Sequence, residues 1–182
     1  ENQLFNWSNV KSNQLLEENC LPIPQVNWIC DDIKLETKVF ANGEANKNST
    51  LYLKYTVTNN SSIQKKGSLF LLIRPYQVNP QYQFLNLTGG VGKIHSISES
   101  KGKIYVNDDK VIFPITPYTK FGASTFDQGE ITNFISQGIM PENSAVNDLQ
   151  GFASAFVKYD FILQPNERKV VYLAIPFYGD ET

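Results

Sequence analysis

The sequence predicts an all-β protein, a two-sheet antiparallel β-sandwich with one short crossover helix. Aromatic residues make up 13% of the chain, with 12 Phe and 9 Tyr against a single Met. Such side chains pack well on a pleated surface, whereas a helical bundle would be richer in Ala, Leu, Glu and Lys. Several runs also alternate between apolar and polar residues with a period of two. A length of 182 residues fits one core, so we expect a single domain over 1-182.

The first third of the chain predicts an extended segment followed by a strand pair. Residues 1-30 are polar and Asn-rich, and Pro22 and Pro24 favour an extended strap lying over a sheet. Alternation then predicts strands over 33-40 and 51-58, paired antiparallel. The side chains expected on their outward side are Lys34, Glu36, Lys38, Phe40, Tyr52, Lys54, Thr56 and Thr58.

The rest of the chain supplies further strands. Residues 67-73 are almost continuously apolar, which is typical of a strand covered on both faces. Short strands are predicted over 93-98, 103-106 and 110-115, with a turn at Asn107-Asp108-Asp109. Two long strands over 152-163 and 168-175 bring the number to about eight, enough for two packed sheets.

One helix is predicted in a crossover after residue 126. Asp127 is expected as its N-cap, with Glu130 as the capping-box partner three residues later. Gly138 and Pro141 are expected to end the helix. The residues expected in its hydrophobic staple and apolar face are Phe126, Ile131, Phe134 and Ile135.

Composition argues against several functional classes. No run approaches the roughly 20 apolar residues of a membrane span, and a net charge of -2 offers little to nucleic-acid phosphates. The single histidine, His95, excludes a zinc site built on several histidines, and we expect no metal or cofactor. Cys20 and Cys30 are expected either to form one disulfide or to remain as two part-buried thiols.

Catalysis by the chain itself is not expected. A glycosidase needs two carboxyl groups on opposite sides of the scissile bond. Asp127 and Glu130 are explained by capping, while Asp148 and Asp160 are not explained. An enzyme would require these two acids and His95 to cluster around a pocket.

The most unusual stretch runs from Arg74 to Asn86. Prolines stiffen it, and its aromatic and amide side chains suit sugar rings and hydroxyl groups. The same amides would also suit a domain interface or satisfy the loop's own backbone. We expect Arg74 to pair with an acid such as Asp127. The candidate contacts with sugar or with a neighbouring domain are Trp28, Arg74, Tyr76, Gln77, Asn79, Gln81, Tyr82, Gln83, Asn86 and Asp127.

A series of motifs, in order along most of the chain, resembles the β-sandwich domain of large bacterial glycosidase-like proteins that often carry a discoidin-type domain. The motifs are Leu21-Pro22-Ile23-Pro24-x-Val26-x-Trp28, Arg74-Pro75-Tyr76-Gln77-Val78-Asn79-Pro80, Gln83-Phe84-Leu85-Asn86, Gly89-Gly90-Val91, Phe121-Gly122-Ala123-x-x-Phe126-Asp127-x-Gly129 and Gly151-Phe152-Ala153-Ser154-Ala155.

This resemblance implies a supersandwich similar to that of galactose mutarotase, packed on an (α/α)6 six-hairpin barrel that carries the catalytic carboxylates. With one histidine, the chain lacks the imidazole pair of true mutarotases. We therefore expect a non-catalytic module excised from a bacterial, periplasmic or extracellular protein, with the (α/α)6 domain as its partner and carbohydrate as a further one. The alternatives are an independent carbohydrate-binding module using Trp28, Tyr76 or Tyr82, and a sandwich with no link to sugars.

Overall fold

The computed structural model describes residues 3-44, 47-79 and 90-177. Of these residues, 59% lie in strands and 4% in helix, and the sheets are antiparallel, which confirms the predicted all-β, sandwich-like class. The elements are β1 (Lys11–Glu17), β2 (Leu21–Cys30), β3 (Ile33–Asn42), β4 (Thr50–Asn59), β5 (Lys65–Ile73), β6 (Tyr76–Asn79), β7 (Gly90–Gly92), β8 (Ser96–Ser100), β9 (Lys103–Val106), β10 (Lys110–Pro114), β11 (Lys120–Ser124), α1 (Ile131–Ser136), β12 (Ala145–Asn147), β13 (Ser154–Leu163) and β14 (Arg168–Pro176).

The chain divides into two compact units. The first comprises the described parts of Glu1–Leu69, Lys110–Tyr118 and Tyr159–Thr182, and the second those of Phe70–Asp109 and Thr119–Lys158. Strands β5 and β13 contribute residues to both units. The expectation of a single domain stays a prediction.

In the first unit the strands run in the order β1-β2-β3-β4-β14-β10. The predicted pairing of β3 with β4 is confirmed, with Ile33 opposite Asn59 and Asn42 opposite Thr50. Tight turns join the first three strands. Asn19 and Asp31 adopt φ values of 62° and 52°, which short polar side chains tolerate better than most residues.

The beginning of the chain is extended as predicted, but it does not lie over a sheet as a strap. Residues 11-17 and 21-30 form the hairpin β1-β2, which is hydrogen-bonded into the edge of the sheet. Pro24 is accommodated because β2 shifts register against β1 next to it, between Leu16 and Glu17. The segment thus extends the sheet by two strands.

The core of the first unit lies against one face of this sheet. Val57, Val171 and Tyr159 are at most 3% exposed. Asn59 is fully buried and donates to the carbonyl oxygens of Ile63, Leu163 and Gln164 at 2.8 to 3.1 Å. The Asn59 side chain therefore provides hydrogen bonds to backbone carbonyl groups that would otherwise lack partners at this corner of the chain.

The second unit contains the order β9-β8-β12, the pair β6-β7 and the pairing of β11 with β13. The predicted strands around 93-115 and the turn at Asn107, with φ 52°, are confirmed. Gly122 is required for close packing, because a Cβ there would lie 2.0 Å from the Pro141 carbonyl oxygen. The fully buried apolar side chains of this unit include Ile97, Ile104, Ile131 and Phe156.

Helix α1 exists where the sequence predicted it, but its predicted cap is wrong. The N-cap is Glu130, which makes no side-chain capping hydrogen bond, and Asp127 lies three residues before it. The amide of Ile131 instead donates to the hydroxyl of buried Ser154 at 3.2 Å. A tertiary contact has replaced the local capping box, so a local sequence pattern did not reveal it.

The two cysteines are free thiols, Cys20 exposed and Cys30 buried. Cys20 directly precedes β2 and Cys30 is the last residue of this strand, which is 10 residues long. At about 3.3 Å per residue this separates their Cα atoms by roughly 30 Å. A disulfide needs Cα atoms within about 7 Å, so the fold excludes this bridge.

Candidate functional site

The first unit presents a polar sheet face opposite its core. Residues directly opposite each other on neighbouring strands point to the same side, and the register aligns Lys34 with Thr58 and Thr58 with Arg168. We call the following set the polar face: Lys11, Asn13, Gln25, Asn27, Lys34, Glu36, Lys38, Lys54, Thr56, Thr58, Arg168, Val170 and Tyr172.

A depression of about 310 Å³ lies on the polar face. It is formed by three adjacent strands, β3, β4 and β14, all in the first unit. Thr56, at its centre, is only 9% exposed. The residues lining the depression are Lys34, Glu36, Lys54, Thr56, Thr58, Asn60, Arg168 and Val170.

Cations outnumber carboxylates on the polar face. Lys34 pairs with Glu36 at 3.3 Å, and Lys38 contacts Glu17 at 2.5 Å and Glu36 at 4.0 Å. The hydrogen bond from Lys38 to Glu17 raises the pKa of Lys38, against the opposing effect of burial. The lysine therefore stays charged at neutral pH.

Two cations of the depression are not neutralised in this way. Lys54 has its Nζ atom 5.9 Å from the centre of the Tyr172 ring, a cation-π distance. Neither Lys54 nor Arg168 forms an ion pair with any residue that the structure describes. The polar face is thus locally positive in a chain whose net charge is -2.

Buried amides order the side of the polar face next to the depression. Asn27 is 5% exposed and donates to Asn13 at 2.9 Å, while Gln25, 9% exposed, donates to Asn27 at 3.0 Å. Each amide fixes the orientation of the next. The chain of amides holds β1 and β2 in a defined position beside Glu36 and Lys38.

A second polar cluster surrounds Asp148 in the second unit. Its carboxylate accepts hydrogen bonds from the backbone amides of Phe126, Gln150, Gly151 and Phe152 at 2.5, 2.9, 3.0 and 3.3 Å. Burial acts to raise the pKa of Asp148, but these four donors outweigh it and hold the pKa below its ordinary value. Asp148 thus remains an ionised clamp on two loop segments.

His95 and Asp160, the other two residues that an enzyme would require, do not contact the carboxylate of Asp148 in the described structure. The Nδ1 atom of His95 contacts the backbone carbonyl of Asp148 at 3.1 Å, not its carboxylate. Asp160 belongs to the first unit, where it accepts a hydrogen bond from Ser68 at 2.5 Å. The neighbourhood of His95 and Asp148 is therefore a backbone contact between two loops.

The prediction that Arg74 pairs with an acid is confirmed, but its partner is Glu130, at 3.0 Å, and the suggested partner Asp127 is wrong. Glu130 Oε1 has no aligned hydrogen bond among the described residues, so this contact is an ion pair only. The other oxygen of Glu130 accepts a hydrogen bond from Thr132. Asp127 is exposed, and among the residues that the structure describes its carboxylate accepts one hydrogen bond, from the Gln150 side chain at 3.4 Å.

The remaining predicted site residues fall into three groups. Trp28 is half-buried in β2, where it lies opposite Leu35 on the side away from the polar face. Tyr76 and Gln77 are exposed in β6, and Asn79 pairs through its backbone with Gly90. The predicted contacts that lie outside the described residues are Gln81, Tyr82, Gln83 and Asn86.

Sequence reasoning placed part of the polar face outward without recognising it as a site. Alternation identified the outward positions of β3 and β4, but it did not show that Arg168 lies beside Thr58. These residues are 110 positions apart in numbering, and only the sheet register joins them. The available signal was the run of charged residues at every second position of one strand, Lys34, Glu36 and Lys38.

Comparison of the sequence with protein-family models and with curated proteins gives no match to either. Within the described residues, no three His, Cys, Asp or Glu side chains are grouped so that they would hold a metal ion. None of the helical structure described is long and apolar enough to cross a membrane. The class that the structure defines is an antiparallel, sandwich-like all-β protein.

Proposed function

We propose that the chain is a non-catalytic β-sandwich module of a multidomain carbohydrate-active protein, where it supports or shapes the cleft of a separate catalytic (α/α)6 domain. The observation that carries this proposal is the use of Asp148. It is a buried carboxylate, and its oxygens are occupied by four backbone amides. A carboxylate held in this way stabilises loops, and its lowered pKa is unsuited to a general acid at neutral pH.

The second support is the exposed pair β6-β7, which follows the ion-paired Arg74. Tyr76 is 71% exposed, so its aromatic ring is available for contact with a partner. Arg74 is anchored by Glu130 at 3.0 Å at the start of this pair. An aromatic residue on an anchored strand suits contact with a neighbouring domain, since little side-chain freedom is lost.

A second candidate function is carbohydrate binding by the module itself, favoured by the depression on the polar face. Hydroxyl, amide and carboxylate groups line it, and these bind sugar hydroxyls. Aromatic rings continue the same side of the sheet, where Phe40 stacks on Tyr52 with ring centres 5.2 Å apart. Sugar rings pack on such flat apolar surfaces.

The proposed function is tested by mixing the purified chain with the six-hairpin domain of its parent protein and following complex formation by size-exclusion chromatography. We expect a complex that Tyr76→Ala weakens. Leu149→Ala is the matched control, because Leu149 is 99% exposed in the same unit but is outside the proposed contact.

The same preparation is assayed for release of reducing sugar from a panel of glycosides. We expect none from the chain alone. Turnover by the chain that Asp148→Asn abolishes would overturn the non-catalytic role, and equal complex formation by Tyr76→Ala would remove β6 from the interface.

A further inference from the structure

We propose that the depression on the polar face binds an acidic polysaccharide, with Lys54 and Arg168 contacting its carboxylate or sulfate groups. This inference rests on the proposed link to carbohydrate and names the class of ligand, which that proposal leaves open.

The first argument is the state of the cations. Lys34 and Lys38 are compensated by Glu36 and Glu17, at 3.3 and 2.5 Å. Lys54 and Arg168 line the same depression without a carboxylate partner among the residues described. Two cations without carboxylate partners leave the depression locally positive, and an anionic ligand would neutralise this charge.

The second argument is the position of the depression. Lys54 is half-buried and Thr56 is only 9% exposed, so ligand groups there are partly removed from water. Charge-assisted hydrogen bonds are shorter and stronger than neutral ones, and guanidinium groups bind carboxylate or sulfate oxygens in pairs. Arg168 therefore supplies both charge and direction.

The third argument is that the groups between the two cations are not cationic. Thr56 and Thr58 offer hydroxyl groups, and Glu36 offers carboxylate oxygens that accept hydrogen bonds from hydroxyls. Arg168 is opposite Thr58, which lies four residues after Lys54 on β4, so the Cα atoms of the two cationic residues are roughly 14 Å apart by strand geometry. The polar face thus alternates charged and neutral recognition groups.

The carboxylate of Glu36 in the depression favours an acidic glycan over a nucleic acid as the ligand. Phosphates follow one another closely along a nucleic-acid strand, at about 3.4 Å of helix axis each. Such a chain would bring phosphates close to the carboxylate of Glu36, which lines the same depression on the neighbouring strand, opposite Thr56. In an acidic polysaccharide, each charged group is attached to a sugar ring that also carries hydroxyl groups, and these hydroxyl groups suit both Glu36 and the threonines.

The test is isothermal titration calorimetry of the whole chain with defined probes at low salt. Polygalacturonate and chondroitin sulfate distinguish carboxylate from sulfate recognition, and dextran is the neutral polysaccharide. Single-stranded DNA and inorganic phosphate report nucleic-acid binding and simple anion binding. We expect one or both acidic polysaccharides to bind, and dextran and phosphate to bind at least tenfold more weakly.

The variant Lys54→Gln/Arg168→Gln removes both uncompensated cations, and we expect its affinity to fall by about 100-fold, roughly tenfold per charge. The matched control is Lys66→Gln/Lys101→Gln, which removes the same charge from exposed positions outside the depression. We expect the control to keep its affinity within about threefold. Raising the salt concentration should weaken binding to the native chain more than to the double variant.

Several results would overturn the inference. Equal affinity of the two double variants would show that net charge alone attracts the ligand. Tighter binding of DNA than of either polysaccharide would assign the depression to nucleic acid. Absence of heat with every probe would end the inference but leave the accessory role intact, whereas loss of complex formation with the catalytic domain would affect only the proposed function.

Discussion

The chain contains two polar clusters that use charge in opposite ways. Around Asp148, one buried carboxylate is matched by four backbone amides. On the polar face of the first unit, Lys54 and Arg168 line a depression without an ion-pair partner among the described residues. The first cluster is internally complete, whereas the second leaves two cations available for the anionic ligand that we propose.

The difference teaches which polar residues serve folding and which remain available for binding. A buried charge with all its hydrogen bonds made stabilises the structure, and its removal leaves several donors without an acceptor. A charge without a partner that is half-buried, as in Lys54, or exposed, as in Arg168, adds little stability, and its side chain remains available to contact a ligand. The burial of a charged group and the number of hydrogen bonds it makes therefore distinguish a role in folding from a role in binding better than the residue type does.

The largest expected effect is that of Asp148→Ala. Four backbone amides lose their acceptor at once, and we expect the free energy of unfolding to fall by about 3 kcal/mol. Urea denaturation measures this. The control is Asp127→Ala, which removes an exposed acid with one contact at 3.4 Å and should cost less than about 0.5 kcal/mol. Equal effects would contradict the clamp.

Protonating Asp148 should cost less than deleting it, because the carboxyl group keeps some acceptor capacity. Its pKa is held below the ordinary value in the folded chain, so its contribution is complete above about pH 4 and is lost as the pH falls through the folded pKa. Unfolding free energy measured from pH 6 to pH 2 should decline more steeply for the native chain than for Asp148→Asn. Identical slopes would show that Asp148 does not titrate with folding.

A smaller effect is expected for Asn27→Ala, which breaks the chain of amides between Asn13 and Gln25. Because Asn27 is 5% exposed, the remaining amide groups are poorly hydrated, and we expect a loss of about 1 to 2 kcal/mol. Exposed Asn13 serves as the comparison, and Asn13→Ala should cost less than half as much in the same thermal denaturation.

The ion pair of Arg74 with Glu130 should contribute less again. The two side chains are 44% and 34% exposed, so water screens their attraction, and Arg74→Ala should change stability by less than about 1 kcal/mol. A double-mutant cycle with Glu130→Gln measures the coupling. A coupling energy as large as the loss of stability in Asp148→Ala would show that this ion pair stabilises the fold as strongly as Asp148 does.

The smallest effect on stability is expected for Lys54→Gln/Arg168→Gln. Neither cation has an ion-pair partner in the described structure, so unfolding free energy should stay within about 0.5 kcal/mol of the native value. Chemical denaturation of the variant checks this. A loss of 2 kcal/mol or more would mean that these charges serve folding after all.

The apolar face after residue 126 predicted the position of α1, and alternation along the chain was sufficient to predict the class of fold, the pair β3-β4 and the last two strands. It was insufficient wherever distant residues meet. The Ser154 hydroxyl at the start of α1, the Glu130 partner of Arg74 and the alignment of Thr58 with Arg168 all depend on tertiary placement. The sequence pattern predicted that the lysines point outward, but it did not predict which cations lack a carboxylate partner.

The prediction for residues 1-30 also shows that local sequence does not determine tertiary placement. Pro22 and Pro24 correctly indicated extended backbone, but extended backbone serves equally as a strap or as an edge strand. The choice was made by hydrogen bonding of Leu15 opposite Gln25 and of Gln25 opposite Lys38. Local propensity does not contain that information.

Thermal unfolding with and without saturating polygalacturonate or chondroitin sulfate tests the contrast between the clusters most directly. A ligand that binds only the folded chain raises the midpoint. We predict that the native chain and Asp148→Asn gain similar increments from different starting midpoints, and that Lys54→Gln/Arg168→Gln gains almost none. An undiminished increment in the double variant, or its loss in Asp148→Asn alone, would contradict the assignment of binding to the polar face and of folding to Asp148.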